Sequence, residues 1–435
     1  MGALTRPRQR RDRRPEPLPA VEVRIARLGA AGDGIADGAP TLYVPLTAPG
    51  DRVLVRPGAE RGGGRAADLV ELLEPGPHRV PPACPHFGRC GGCALQHLND
   101  RAYEAAKRAQ LDDTLRRAGA ADVEILPLLR VPPGGRRRVT LAAERRGGAV
   151  TLGYHARRSH ALVDVGTCPI ADAAIQALIA PLRQCLVDVL VERGTMAALV
   201  TRLDDGIDLL LQGPLPPGPA VLEHLASFAQ QQHLARLSWR SSEAAAAEPV
   251  SHRRSGIVRF GAASVSPPPG AFLQASPAAE QAMVRFAQDA LAGVASIADL
   301  FAGCGTFALP LSPMAPVHAV EGDAALVRAM AAAAQAIRAR LVAESRDLFR
   351  QPLGSRELNR FDAVLFDPPR AGAAAQCAEL AKSEVSRVVA ISCNPATFAR
   401  DARTLIAGGF RLRRVLPVDQ FLWSAHLELA AEFVR

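Results

Sequence analysis

Two residues near the end of the chain have side chains suited to a two-step reaction on a flat ring. Cys393 stands in Ser392-Cys393-Asn394-Pro395, and Glu428 in His426-Leu427-Glu428. A thiol is a soft nucleophile, able to add to a weakly electrophilic ring carbon. A carboxylate on a separate element can later take a proton from the neighbouring carbon. Val388-Val389-Ala390-Ile391 reads as a buried strand, a short β-branched run bounded by breakers. Asn394 suits an N-cap, Pro395 the first helical position and Gly408-Gly409 the stop. Cys393 is therefore expected at the carboxyl end of a strand, beside a helix N-terminus. Open α/β sheets bind ligands there, and a thiol pKa is expected to fall there. Alternation through His426, Glu428 and Ala430 predicts a strand with the first two on one face. Glu432 shares that face and is the rival base.

Upstream, Ile297-Ala298-Asp299-Leu300 is an apolar strand running into Phe301-Ala302-Gly303-Cys304-Gly305-Thr306. The glycines let backbone approach a ligand, and Glu321, closing the next apolar run, can bind ribose hydroxyls. The spacing is not the three-glycine dinucleotide fingerprint, which favours a nucleoside cofactor without pyrophosphate. A third strand, Phe361 to Phe366, ends in Asp367-Pro368-Pro369-Arg370, where two prolines cannot continue a ladder. Three strand ends with polar groups are thus expected on one rim.

In order and spacing these segments resemble the S-adenosylmethionine-dependent RNA uracil-C5 methyltransferases. The matching residues are Asp299 to Gly305, Asp367-Pro368-Pro369-Arg370-Ala371-Gly372, Ser392-Cys393-Asn394-Pro395-Ala396-Thr397, His426-x-Glu428 and Phe272-Leu273-Gln274. The resemblance implies that Cys393 adds to C6 of uracil, that C5 takes the methyl group, and that Glu428 removes the C5 proton. It also implies that Gln274, Phe301, Thr306, Glu321, Asp347 and Asp367 line the cofactor and base pocket. Two departures stand out: Phe421-Leu422-Trp423-Ser424-Ala425 replaces the family's common Phe-Pro-x-Thr, and Thr306 replaces a frequent asparagine. Amino-group methyltransferases share the Asp-Pro-Pro motif but usually follow it with an aromatic residue, where this chain has Arg370. Cytosine-C5 enzymes place the thiol in other motifs. A non-catalytic RNA-binding factor on a methyltransferase scaffold would not need Cys393 and Glu428.

Cys84, Cys90 and Cys93 lie within ten positions, and Cys168 follows in Gly166-Thr167-Cys168-Pro169. Four thiolates can hold zinc or an iron–sulfur cluster, and three clustered ligands with one remote suit a [4Fe–4S] cluster better. The ribosomal branch of the family carries this arrangement, which implies a structural cluster and 23S ribosomal RNA as substrate; a transfer-RNA substrate is the alternative. Cys185, Cys304 and Cys377 read as small core residues.

The chain has 435 residues and a net charge of +9, a balance that suggests a polyanionic partner. Arginine carries nearly all of it, since lysine occurs only at Lys107 and Lys382. No apolar run approaches membrane-spanning length, so no membrane partner is expected and a cytoplasmic monomer is. The expected fold class is α/β. Residues 1–19 read as a basic disordered tail. Residues 20–76 read as short strands between Gly and Pro turns, resembling the OB-like TRAM RNA-binding barrel. Residues 77–262 form a central α+β domain with the cysteines and RNA contacts, including Arg136-Arg137-Arg138, Arg145-Arg146 and Arg157-Arg158. Within it, helix 100–119 is a candidate to pack on the catalytic domain. Residues 263–435 form a Rossmann-like methyltransferase domain.

Overall fold

The computed structural model describes residues 18–120, 122–216 and 218–435; the basic tail lies outside them apart from its last two residues. The described chain divides into two compact units. One comprises residues 18–81 with 97–102, and the other residues 82–96 with 103–435.

The first unit is a six-stranded sheet in the order Val21–Arg24, Arg52–Arg61, Gly64–Glu74, Leu42–Val44, Gly34–Ala36, Arg27–Leu28. Its two edge strands are consecutive in the chain. Ile25 donates to Asp51 at 2.9 Å and Ala26 to Ile35 at 2.8 Å, so the segment between them reaches both ends of the sheet. Alternate inward residues, including Ile25, Val44, Val53 and Val55, form its core. Gly34 is required by close packing, because a Cβ there would meet Thr47 Oγ1 at 2.1 Å.

The second unit contains two large sheets. A seven-stranded one runs Leu162–Asp164, Ala149–His155, Arg138–Arg146, Thr195–Leu203, Gly206–Gln212, Arg236–Arg240, Glu248–His252. Helices Ala173–Val189 and Pro219–Gln231 bury apolar residues such as Ile179, Leu182, Leu225 and Phe228 in a core shared with that sheet. The other is built on Leu341–Ser345, Val317–Glu321, Ile297–Leu300, Ala363–Phe366, Arg387–Ser392, Glu428–Val434 and Arg411–Asp419, in that spatial order. The first five strands are parallel, and Glu428–Val434 is antiparallel to its neighbours. Strand order reverses between Ile297–Leu300 and Ala363–Phe366. Doubly wound sheets bind ligands at the carboxyl ends of strands beside such a reversal.

Both faces of this sheet are covered, which explains its near-continuous apolar strands. Helix Pro277–Ala290 packs Met283, Phe286 and Ala287 on one face. Helix Pro395–Ala407 packs Phe398, Ala402 and Leu405 on the other, joined by Leu111 and Leu115 of helix Asp100–Ala118. Glu124–Ile125 and Leu129–Arg130 add to the same sheet beside Arg411–Asp419. The sheet thus draws on chain from both sides of residue 262. Among the described residues, no helix is long and apolar enough to cross a membrane.

Candidate active site

Cys393 follows strand Arg387–Ser392 directly, and Asn394 caps helix Pro395–Ala407 by accepting from the Ala396 N–H at 3.1 Å. The turn is tied to the neighbouring strand end, because Asn394 Nδ2 donates to the Arg370 carbonyl at 3.0 Å. Glu428 begins strand Glu428–Val434 and is only 2% exposed. Its neighbour Leu429 pairs with Ser392, which puts the carboxylate beside the thiol turn.

Four side chains form one relay across the rim. Gln274 Nε2 donates to Asp367 Oδ2 at 2.7 Å, and Gln420 Nε2 donates both to Gln274 Oε1 at 2.9 Å and to Glu428 Oε2 at 2.7 Å. Gln420 Oε1 in turn accepts from the Ala275 N–H at 3.0 Å. Burial pushes the Asp367 carboxyl up to about 7, against the pull of the Gln274 amide. Burial, then the nearby Asp367, pushes Glu428 up to about 8. Two carboxyls sharing a dry site resist ionising together.

The expectation of an acidified thiol is overturned. Burial first, then the charges of Glu428 and Asp367, push Cys393 up to about 11, and Arg370 opposes them only in part. Proximity to a helix N-terminus is outweighed by carboxylates arriving from two other strands, which no local sequence pattern reveals. The pair of His426 and Glu428 on one strand face is also corrected. The strand starts at Glu428, and His426 lies in the preceding loop with Nδ1 3.2 Å from Arg370 Nη2. The rival Glu432 is occupied: its oxygens take Arg413 Nη1 at 3.0 Å and Arg414 Nε at 2.5 Å.

The remaining polar strand ends gather at the carboxyl edge of the parallel strands. Phe301, Gly303 and Gly305 all have positive φ, at 61°, 57° and 95°, so the turn after Leu300 needs its glycines. Glu321 Oε2 accepts from the Gly303 N–H at 3.0 Å and Oε1 from the Asp323 N–H at 2.8 Å, fixing a carboxylate beside that turn. Asp347 follows the next strand and accepts from the Phe349 N–H at 3.0 Å, while Phe349 lies against Phe301 with ring centroids 5.3 Å apart. Thr306, 9% exposed, sits at the end of the glycine turn. Asp299 beneath is fully buried, and neither oxygen has a partner of good geometry among the described residues. Burial, and then the nearby Asp367, push its carboxyl well up.

The arginine triplet divides its work. Arg137 is buried and ion-paired with Glu280, with Nε donating to the Gln274 carbonyl at 3.0 Å. Arg136 and Arg138 lie over the rings of Phe421 and Phe272, 5.6 and 5.5 Å from the centroids. Arg145 is spent on the Leu190 carbonyl at 2.6 Å. The triplet is therefore not a uniform phosphate-facing cluster.

The segment bearing Cys84, Cys90 and Cys93 meets the end of the strand that also touches Cys168. Gly91 N donates to the His155 carbonyl at 3.0 Å, and Tyr154 Oη lies 3.8 Å from Cys168 Sγ. Burial raises the Cys90, Cys93 and Cys168 thiols, Cys93 to about 12, and neighbouring cysteines raise them further. All eight cysteines are free. Among the described residues, no group of three or more His, Cys, Asp or Glu side chains is set to hold a metal ion.

Sequence reasoning missed Gln420, Asp419 and Lys107. Gln420, one residue past the strand Arg411–Asp419, carried no signal beyond lying eight positions before Glu428.

A doubly wound sheet with acidic strand ends, a glycine turn and a thiol beside a buried carboxyl is a frame suited to a methyltransferase. Comparison with known proteins narrows the class. Residues 266–433 match the family model described as tRNA (uracil-5-)-methyltransferase. The chain is 41% identical over 94% of its length to an RNA methyltransferase of Rhizobium meliloti, covering 98% of that protein. It is 34% identical over 93% of its length to the 23S rRNA (uracil(1939)-C(5))-methyltransferase RlmD of Chromohalobacter salexigens, covering 87% of that enzyme. The solved Pyrococcus abyssi tRNA (uracil-54, C5)-methyltransferase, bound to S-adenosyl-L-homocysteine, shares the fold. Its TM-score is 0.73 at 22% identity, over 95% of this chain and 100% of that one. The chain belongs to the S-adenosylmethionine-dependent RNA uracil-C5 methyltransferase family.

Proposed function

We propose that the protein methylates C5 of a uridine in 23S ribosomal RNA through a transient bond between Cys393 Sγ and C6 of the base. The observation that carries this reading is the placement of Cys393 against Glu428 and Asp367, each close enough to raise the thiol's pKa. S-adenosylmethionine supplies an electrophilic methyl group when bound. Glu321, Asp347, Asp367, Phe301, Thr306 and Gln274, gathered around the carboxyl edge of the sheet, would hold it and the base.

Cys393 must lose its proton as sulfur bonds to C6. The π pair of the C5–C6 double bond moves towards C5, which would take the methyl group while that group's former bonding pair stays on the cofactor's sulfur. Glu428, ionised, removes the C5 proton; the double bond re-forms and sulfur leaves C6. A base stacked in a helix covers both faces of that bond, so the target uridine must leave its stack.

We read Cys84, Cys90, Cys93 and Cys168 as the residues that would hold a [4Fe–4S] cluster, on the chemistry of a four-thiol donor set. Burial first, and then the neighbouring cysteines, disfavour the free thiolates of Cys90, Cys93 and Cys168, and ligation would offset that cost. A cluster spreads its ligands more widely than a single metal ion does. Its role would be to staple residues 84–93 to Cys168, and no step of the reaction needs it. The N-terminal six-stranded unit we read as a TRAM barrel that contacts RNA, and the enzyme as a monomer. Transfer RNA is the second reading, supported by the family model's description; RlmD's 34% identity supports the ribosomal one.

The test is transfer from labelled cofactor to unmodified 23S and transfer-RNA transcripts, with digestion to nucleosides. Label in 5-methyluridine from the 23S transcript is expected. Label in the transfer RNA alone would move the substrate, and a Cys393→Ser enzyme working at the normal rate would end the covalent reading. Anaerobically purified protein should be brown with broad absorbance near 400 nm, a colour that Cys168→Ser removes; a colourless zinc protein would replace the cluster.

A further inference from the structure

Arginine provides almost every cation of this chain, yet the deepest cation among the described residues is a lysine. Lys107 is 2% exposed and lies on helix Asp100–Ala118. Its ammonium stands 2.9 Å from Asp419 Oδ1, itself 0% exposed, and 2.5 Å from the His426 carbonyl oxygen. Those two residues bracket one loop. Asp419 ends the strand before it, and His426 lies two positions before Glu428.

Tyr103 and Gln110 lie on the same helical face as Lys107, at spacings of four and three residues. Tyr103 Oη donates to Asp419 Oδ2 at 2.5 Å and accepts from the Trp423 N–H at 2.9 Å. Gln110 Nε2 donates to the Ala425 carbonyl at 3.0 Å. The loop is gripped along its length. Trp423 needs that grip, since its φ of 58° is a left-handed conformation that a bulky side chain resists.

The loop carries Gln420, whose amide donates to Glu428. An ammonium presents three donors from a single atom, which a planar guanidinium cannot do in so small a space. That chemistry suits a cation that must bind a carboxylate and a carbonyl from two ends of one loop.

We propose that Lys107, acting with Tyr103 through Asp419 and the His426 carbonyl, is a positioning residue for Glu428, setting its aim at the C5 proton. The inference rests on the reading of Glu428 as the base. It predicts a fault in one step: addition and methyl transfer proceed, but proton removal slows, so RNA stays bonded to Cys393.

The experiment uses full-length protein and an unmodified RNA transcript that the wild-type enzyme methylates. Lys107→Met, Tyr103→Phe, Glu428→Gln and the exposed control Lys382→Met are compared. The readouts are cofactor affinity by calorimetry, the rate of 5-methyluridine release, and the fraction of RNA in a gel-stable adduct. Lys107→Met should keep cofactor affinity within about twofold, while release falls roughly a hundredfold, the cost of misplacing a reacting group by an ångström. Adduct should accumulate, and Tyr103→Phe should do the same more mildly. Lys382→Met should match wild type.

Wild-type release without adduct in Lys107→Met overturns the proposal. So does a loss confined to cofactor affinity or melting temperature, which marks a purely structural ion pair. If Lys107→Met does not fold, Tyr103→Phe decides by the same partition, since it removes one oxygen only. A Glu428→Gln enzyme that accumulates no adduct sinks the reading of the base itself. An adduct with Glu428→Gln but not with the helix variants sinks only the role given to Lys107.

Discussion

The reactivity of Cys393 with iodoacetamide should rise steeply with pH and keep rising past the point where an ordinary thiol levels off. The site raises this thiol from 9.0 to about 11. Two pKa units correspond to about 3 kcal/mol against the thiolate. With that value, about 1 molecule in 10,000 carries thiolate at pH 7 and about 1 in 100 at pH 9, a hundredfold gain. A thiol left at 9.0 gains only about 50-fold over the same interval and flattens above it. The assay is alkylation of the cofactor-free enzyme between pH 6 and pH 10, with the Cys393 peptide quantified by mass spectrometry. Glu428→Gln sharpens the test. Glu428 itself ionises near 8, so its charge weighs on the thiol mainly above that pH. The substitution should leave alkylation unchanged at pH 6 and accelerate it at pH 9. A wild-type curve that plateaus by pH 9, or an amide variant that alkylates more slowly, would refute the electrostatic account.

Methyl transfer at saturating cofactor should climb between pH 6 and pH 8.5. Glu428 must be ionised to take a proton and Cys393 must lose one to attack, and both are held protonated at neutrality; a flat initial-rate profile would contradict this. Arg137→Met should destabilise the protein by about 3–5 kcal/mol in denaturant titrations, because it strands Glu280 in the core without its partner. Gly305→Ala should cost about 1–3 kcal/mol and weaken cofactor binding measured by calorimetry. Its φ is 95°, and the new Cβ would meet Leu309 Cδ1 at 2.8 Å.

The strand, turn and helix around Cys393 were legible because their causes are local. The β-branched run forms strand Arg387–Ser392, Asn394 caps the helix, Pro395 opens it, and Gly408 follows its last residue, Ala407. What could not be read depends on partners far along the chain. Tyr103 and Asp419 are separated by 316 positions, and Gln274 and Gln420 by 146. The direction of the thiol's pKa is hidden for the same reason: the helix terminus is adjacent in sequence, while the opposing carboxyls come from other strands. His426 falls outside the strand because alternation cannot anticipate the turn at Trp423, which delays the strand until Glu428. Arg137 was hidden in a triplet whose composition suggests solvent, and only Glu280, 143 positions away, explains its burial.

The relay also decides which oxygen of Glu428 is left to react. Gln420 donates both its amide hydrogens, one to Gln274 Oε1 and one to Glu428 Oε2, and its own oxygen takes the Ala275 N–H. Turning that amide over would break three bonds at once and set its oxygen against a carboxyl, so its orientation follows from the network. Arg137 holds the far end, with its backbone N–H on the Ala275 carbonyl at 2.9 Å and its side chain on the Gln274 carbonyl. Glu428 Oε2 is thereby committed to Gln420, and among the described residues Oε1 has no hydrogen bond of its own. A base must offer a lone pair that nothing else occupies, in a fixed direction. Glu432, four residues along the same strand, has both oxygens bound to arginines, so that strand supplies one structural carboxylate and one available for chemistry.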